Sequence, residues 1–325
     1  MHFLTQIRRR FITSFPVKFI IRKSKNIILP GFNGIPLFDV VRFFFIQIQK
    51  TSLNERAASI AFNLVLAIPP ACIFIFTLIP YLPISKQVTE QLLELVRDYT
   101  INQNTYKLIK EFLDDFLKTE RTGLLSLGFL LVIYYSSNAM MTIMRSFDKS
   151  LVYATRRNFL ERRWTAIRLT LLILIMALLS IVLLALQGPL LNWVLHLLNI
   201  KDKTILTAIL FVRWVILIAL VYYSIAFIYK YAPAVHKRWR LSSPGTNLAT
   251  LLVLATTFIF SFWVNHFSNY NKIYGSIGTI LIIMFLIYIN SLVLLVGYEL
   301  NVSIHSLKHQ ADERAKRETD GKEPD

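Results

Sequence analysis

A single cysteine, Cys72, in 325 residues leaves no disulfide framework and no cysteine metal site, and it gives no reading of redox compartment. Charge is also sparse. Only 17% of residues are charged, against about 25% in a soluble domain. Acids number 19 against 36 lysines and arginines, and glycine is held to 10. The chain has no P-loop, no G-x-S-x-G and no H-E-x-x-H, so the common phosphate-binding, nucleophilic and zinc-hydrolase chemistries have no motif to rest on. After the basic start that ends in Arg8-Arg9-Arg10, no uninterrupted apolar run leads to a small-residue cleavage site, so a removed signal peptide is not expected.

What the chain has is long apolar runs. Apolar residues make up 55% of it, gathered into six nearly charge-free stretches of about 20 residues, the length that crosses a hydrocarbon core. They run approximately over Ala57 to Ile79, Gly123 to Met144, Ile167 to Gln187, Ile205 to Ile228, Leu248 to Phe267 and Ile277 to Gly297. An all-α, polytopic membrane protein with a bundle of six transmembrane helices is therefore expected. Of the lysines and arginines, 26 lie in the segments on the side of the termini and 9 on the other side, with Arg213 inside a span. Because cytoplasmic segments retain cations, both termini are expected in the cytoplasm, and the net charge of +17 reads as loop bias and contact with anionic lipid headgroups rather than nucleic-acid binding.

Three further segments complete the expected organisation. Residues 1–56 mix short apolar runs with cations and read as helices lying in the inner interface. Ser52-Leu53-Asn54-Glu55 then has the spacing of a capping box at the entry to the first span. The membrane domain covers 57–305. Within it, residues 80–122 carry helical apolar stripes such as Val88, Leu92 and Leu95, which read as amphipathic helices on the outer side that cover the bundle or dock a partner. The charged tail, 306–325, passes from helix into disorder. His305 and His309 lie at its start with no glutamate between them and read as a solvated face rather than a metal site. No cofactor is expected.

Inside hydrocarbon, polar side chains are the candidates for function. Arg56, Ser59, Asn63 and Pro70 share a helix face in the first span, and Tyr134, Asn138, Thr142 and Arg145 share one in the second. In the sixth, Tyr288, Ser291 and Glu299 lie on one side with Asn290 nearly opposite. These groups fall toward the cytoplasmic ends, so Arg56, Asn63, Asn138, Arg145 and Glu299 are the expected lining of a polar vestibule. Glu299 is expected to pair with one of the two arginines, either as a structural clamp or with a substrate or proton role. Arg213, deeper and beside Trp214, is a second candidate. Pro69-Pro70 is expected to kink the first span. In the outer link before the sixth span, Gly275 and Gly278 suit a tight turn, and Tyr270 and Tyr274 suit the interface.

Three blocks resemble the YihY/BrkB family of bacterial inner-membrane proteins. They are Glu55-Arg56-Ala57-Ala58-Ser59-Ile60-Ala61-Phe62; Tyr229-Lys230-Tyr231-Ala232-Pro233 with Pro244-Gly245 after it; and Phe267 to Gly278, with its Y-x3-Y-G-S-[IL]-G core at Tyr270, Tyr274, Gly275 and Gly278, followed by Gly297-Tyr298-Glu299-Leu300-Asn301. The resemblance covers roughly 37 to 305 and implies a six-span bundle with cytoplasmic termini in the inner membrane. Phe62-Asn63 and the second proline, Pro70, depart from its pattern. Members have carried the label ribonuclease BN, which the isolated histidines at 196, 236 and 266 do not support.

Two functional readings follow, neither of them enzymatic. One is a permease that moves a small solute or lipid by way of the vestibule. The other is a non-transporting factor that organises the envelope or its lipids.

Overall fold

The computed structural model describes residues 22–32, 34–81, 120–151, 155, 157–185, 203–235, 239–266 and 269–319, together with Lys107, Lys110 and Glu111. Most of the expected outer segment 80–122 lies outside these residues, as do 1–21 and the end of the tail.

The described chain is helical. Helix α1 spans Leu37–Lys50, α2 Leu53–Leu78, α3 Thr122–Asp148, α4 Phe159–Ala185, α5 Lys203–Tyr231, α6 Pro244–His266 and α7 Asn269–Thr319. A 3-10 turn, Ile79–Tyr81, continues α2. Six of these helices, α2 to α7, are long and apolar enough to cross a membrane, as their sequences require. Their outward apolar side chains stay exposed, among them Leu130, Phe211 and Phe258, which fits a protein whose solvent is lipid.

Helix boundaries follow local chemistry. Pro36, with φ −59°, precedes α1, whose first turn carries Asp39 and whose last carries Lys50, each suited to the helix dipole. Helix α2 begins at Leu53, inside the Ser52 to Glu55 tetrad, and continues through Pro69 and Pro70 to Leu78. Helix α6 opens with Pro244 as its first residue, where a missing N–H costs nothing.

The contacts group the described residues into two compact units, each drawn from several stretches of sequence. The first takes those of Met1–Ala58, Arg145–Arg156 and Ile225–Asp325, and so holds α1, the start of α2, the end of α3, the end of α5, α6 and α7. The second takes those of Ser59–Met144 and Arg157–Ser224, and so holds most of α2 and α3, α4 and most of α5.

In the first unit α7 packs along α6 and also against α1. Phe32, Val40 and Ile304 form a buried cluster there, joined by Ile35, Leu37, Leu300 and Leu307. Helix α7 passes without a break through residue 305, and at 51 residues it extends about 77 Å, far beyond a hydrocarbon core of about 30 Å. Its last described side chains, from Lys308 to Arg317, are all exposed.

In the second unit α2 meets α3 at Gly128, where a Cβ would stand 3.3 Å from the Phe74 backbone, and Phe74 packs on Phe129 at 5.6 Å between ring centroids. Beyond that contact the Tyr81 and Thr122 hydroxyls lie 3.1 Å apart. Helix α4 meets α5 where the Ser224 hydroxyl donates to the Met176 sulfur at 3.2 Å.

Candidate functional site

The polar centre of the first unit forms where the start of α2, the end of α3 and the middle of α7 meet. Arg56, in the first turn of α2, donates through Nη1 to the Ser150 hydroxyl at 2.7 Å and to the Ser146 carbonyl at 3.3 Å. The same nitrogen lies 3.5 Å from Oε1 of Glu299, whose side chain is fully buried. Ser150 in turn donates its hydroxyl proton to that carboxylate oxygen. One serine therefore accepts from the guanidinium and donates to the carboxylate, joining three helices through a single oxygen. Oε2 of Glu299 and Nε of Arg56 are buried without a close hydrogen-bond partner among the described residues, the Gln47 side chain being the other polar group that bears on the carboxylate. That leaves polar capacity inside a low-dielectric site, which is costly unless something satisfies it.

Aromatic packing seals the site. Phe147 stacks on Tyr298 with ring centroids 3.7 Å apart and planes 7° from parallel, Tyr229 meets Phe147 edge-on at 5.8 Å, and Trp239 covers Tyr298 at 5.2 Å. The Tyr229 hydroxyl donates to the Leu294 carbonyl at 2.6 Å, so its polar end is satisfied within α7. The Tyr298 hydroxyl, equally buried, has no hydrogen-bond partner among the described residues.

Close backbone approach makes this packing possible. A Cβ on Gly297 would stand 2.6 Å from the Tyr229 hydroxyl and 2.7 Å from the Ala249 methyl, and one on Gly245 would overlap the Gly297 carbonyl. Only glycine lets α6 and α7 come this near. Asn301 then fastens the start of α6. Its Oδ1 accepts from the Gly245 N–H at 2.8 Å, its Nδ2 donates to Ser243 at 2.9 Å, and the Ser243 and Thr246 hydroxyls lie 2.8 Å apart. Nearby, Asp148 at the end of α3 accepts from the Ala234 N–H at 3.1 Å, and the Thr155 N–H donates to the Ala234 carbonyl at 2.9 Å, tying together the segments that follow α3 and α5.

The five residues expected to line a vestibule are divided between the units. Arg56, Arg145 and Glu299 belong to the first, and Asn63 and Asn138 to the second. Arg56 is the arginine that pairs with Glu299. Arg145 is exposed and takes no part in the pair; near the end of α3 it is the Ser146 carbonyl that meets Arg56 and, just past the helix end, the Ser150 hydroxyl that meets the carboxylate. Those two serines escaped the reading of the sequence. Their spacing of four, immediately after Arg145, was the available signal.

In the second unit Asn138 accepts from Nη1 of Arg163 on α4 at 2.5 Å, and that guanidinium also lies 5.2 Å over the Tyr134 ring. Asn63 donates to the Ser59 carbonyl of its own helix at 2.9 Å. Arg213 is half-buried, with its guanidinium 5.7 Å over the Trp214 ring and its Nε buried without a hydrogen-bond partner among the described residues.

The turn expected at Gly275 and Gly278 is corrected by the backbone. Helix α7 begins at Asn269 and runs through Tyr270, Tyr274, Gly275 and Gly278, because two glycines cost a transmembrane helix too little to end it. The side chains there lie outside the described residues. In the later part of α7, Asn290 accepts from Thr256 of α6 at 3.3 Å, whereas Ser291, beside it, donates to its own helix. No group of three or more His, Cys, Asp or Glu side chains arranged to hold a metal ion occurs among the described residues.

Residues 44–323 match the family described as Virulence factor BrkB. The chain is 28% identical over 262 residues to the protein named "Putative ribonuclease-like protein YfkH" of Bacillus subtilis, a match covering 80% of this chain and 93% of that one. It is 26% identical over 287 residues to a UPF0761 membrane protein of Chlorobium phaeobacteroides, covering 82% of this chain and 58% of that protein. A shorter match, 33% identical over 81 residues, covers 25% of the chain and 27% of a UPF0761 membrane protein of Tolumonas auensis. No solved structure matches.

Proposed function

Starting from a chain that belongs to the BrkB (UPF0761) family of multi-pass membrane proteins, we propose that it is a permease for a small solute or a lipid, with the Arg56–Ser150–Glu299 link as the polar element that opens and closes. One observation carries the reading: a fully buried carboxylate and the arginine paired with it each keep a buried polar atom with no close hydrogen-bond partner among the described residues. A pair kept only to clamp helices would gain from satisfying every atom. Unused capacity within a membrane domain is what a passing polar group, or water travelling with it, would fill.

The proposed setting is the bacterial inner membrane with both termini cytoplasmic, supported by the 26 to 9 division of cations. The motif residues of the family resemblance support the same site, since Arg56, Tyr229, Gly245, Gly297, Glu299 and Asn301 all take part in the packing around it. Ribonuclease-like activity, which the name of the Bacillus relative carries, forms no part of the reading, and neither does a cofactor or nucleic acid. The chain's histidines and acids are too scattered in sequence to suggest a nuclease centre.

The test is flux in proteoliposomes across a panel of solutes and labelled lipids, with wild type compared to Glu299→Gln and Arg56→Lys. Wild-type flux of at least one panel member, reduced in both variants, is the expected result. Equal background leak from all three for every compound removes the reading. A second reading, a non-transporting envelope or lipid-organising factor, is favoured by the second unit, where the Asn138 amide oxygen is taken by Arg163 and the Asn63 amide N–H by the Ser59 carbonyl of its own helix.

A further inference from the structure

We propose that the outward face of α4 at Trp164 and Arg168 is a binding site for the headgroup phosphate of an anionic phospholipid. Trp164, Arg168, Ile175 and Leu179 fall within one narrow stripe at helical spacing, and all four are exposed. Ala166, Leu169 and Thr170 are buried on the other side of the helix. The stripe is therefore the lipid-facing side of a membrane helix, and Arg168 is a cation on it.

Arg168 is held in place, with no counter-ion among the described residues. Its guanidinium lies 5.1 Å over the Trp164 ring, one turn nearer the helix start, and among the described residues no side chain or carbonyl accepts a hydrogen bond from it. Arg163, five positions earlier, shows the opposite arrangement. It turns inward to Asn138, the Met141 sulfur and the Tyr134 ring, so its charge is used inside the unit. The one acid of α4, Glu161, is engaged at the helix start by the Asn158 N–H at 3.3 Å and does not serve Arg168.

Chemistry selects the occupant. A guanidinium fixed over an indole still presents N–H donors at its edge, and a phosphate accepts them two at a time. Tryptophan is at home at headgroup depth, which is where a phospholipid phosphate sits. An anionic headgroup, with no ammonium of its own to neutralise the phosphate, matches an arginine that has no counter-ion among the described residues. The inference is independent of whether the chain transports anything.

The test uses the full chain purified in mild detergent, titrated with phosphatidylglycerol and separately with phosphatidylcholine, bound lipid being counted by native mass spectrometry. Phosphatidylglycerol is expected to be retained in preference, with affinity falling about fivefold in Arg168→Ala, less in Trp164→Ala and least in Arg168→Lys. Lys308→Ala, which removes one charge from the exposed part of α7, is expected to change nothing. Monodispersity of each variant shows that it is folded, and Arg168→Lys keeps the comparison available should the alanine variant aggregate. The proposal is overturned if a monodisperse Arg168→Ala binds as wild type does, or if Lys308→Ala loses as much. It is equally overturned if phosphatidylcholine binds as well as phosphatidylglycerol, or if inorganic phosphate displaces the lipid, which would make this a site for a free ion.

Discussion

The polar bonds of the two units differ in how far along the chain they reach. In the second unit several hydroxyls bond back to their own helix: Thr77 to the Ile73 carbonyl, Thr142 to Asn138, Thr165 to Glu161, Ser180 to Met176 and Ser224 to Leu220, each four positions earlier. In the first unit Thr256, Thr257, Ser291 and Ser303 also bond back to their own helices, but its polar centre adds bonds that join distant parts of the chain. Arg56 reaches Ser150 across 94 positions, Ser150 reaches Glu299 across 149, and Tyr229 reaches Leu294 across 65. A hydroxyl that bonds to its own helix satisfies itself without saying anything about the neighbour. A bond across helices specifies which neighbour and at what height. Helix identity in the second unit rests on shape, as at Gly128, and on pairings between helices that follow one another, Asn138 with Arg163 and Ser224 with Met176, whereas the buried centre of the first unit also pairs helices far apart in the chain.

That contrast can be broken experimentally, most severely at the ion pair. Glu299→Ala leaves the Arg56 cation buried without its counter-charge and is expected to cost about 3–5 kcal/mol in detergent unfolding measurements, with the double replacement Arg56→Met, Glu299→Leu recovering most of it. If the double variant is as damaged as the single, the cost lies in packing and not in charge.

Next in size is Gly245→Ala, whose new methyl group would overlap the Gly297 carbonyl and is expected to cost about 3 kcal/mol, read as a lowered melting temperature. Asn301→Ala follows. It strands the Gly245 N–H and the Ser243 hydroxyl together, and a loss of about 2 kcal/mol is expected by the same measurement. The smallest effect belongs to the second unit, where Ser180→Ala removes only a bond within its own helix and is expected to stay within about 0.5 kcal/mol of wild type. A Ser180→Ala loss equal to that of Asn301→Ala would abolish the distinction between the units.

How far these features can be read from the chain alone depends on which axis is in question. Along the helix, hydropathy is a good ruler. The expected first span from Ala57 to Ile79 corresponds to α2, Leu53–Leu78, and the second, Gly123 to Met144, to α3, Thr122–Asp148. The ruler fails at the start of α7, where tyrosine, asparagine and glycine lower the hydropathy of Asn269 to Gly278 although the backbone stays helical. Around the helix axis, periodicity says which residues share a face but not where the face points. Tyr134, Asn138, Thr142 and Arg145 do share one on α3, yet the group that meets Glu299 is the Ser150 hydroxyl, just past the helix end. Choosing between Arg56 and Arg145 therefore required the azimuth of α3, which no count of residues supplies.

From sequence came the solvent, the number of crossings, the inventory of costly polar groups and the expectation that Glu299 would need an arginine, because the free energy of placing apolar or ionic groups in hydrocarbon is a property of each segment by itself. Tertiary structure decided which arginine that is, that Ser150 stands between the two charges, that Gly245 and Gly297 are points of backbone contact, and that Arg163 turns inward while Arg168 faces out. Those outcomes depend on how helices rotate and meet, which is set by many weak contacts summed over segments far apart in the chain.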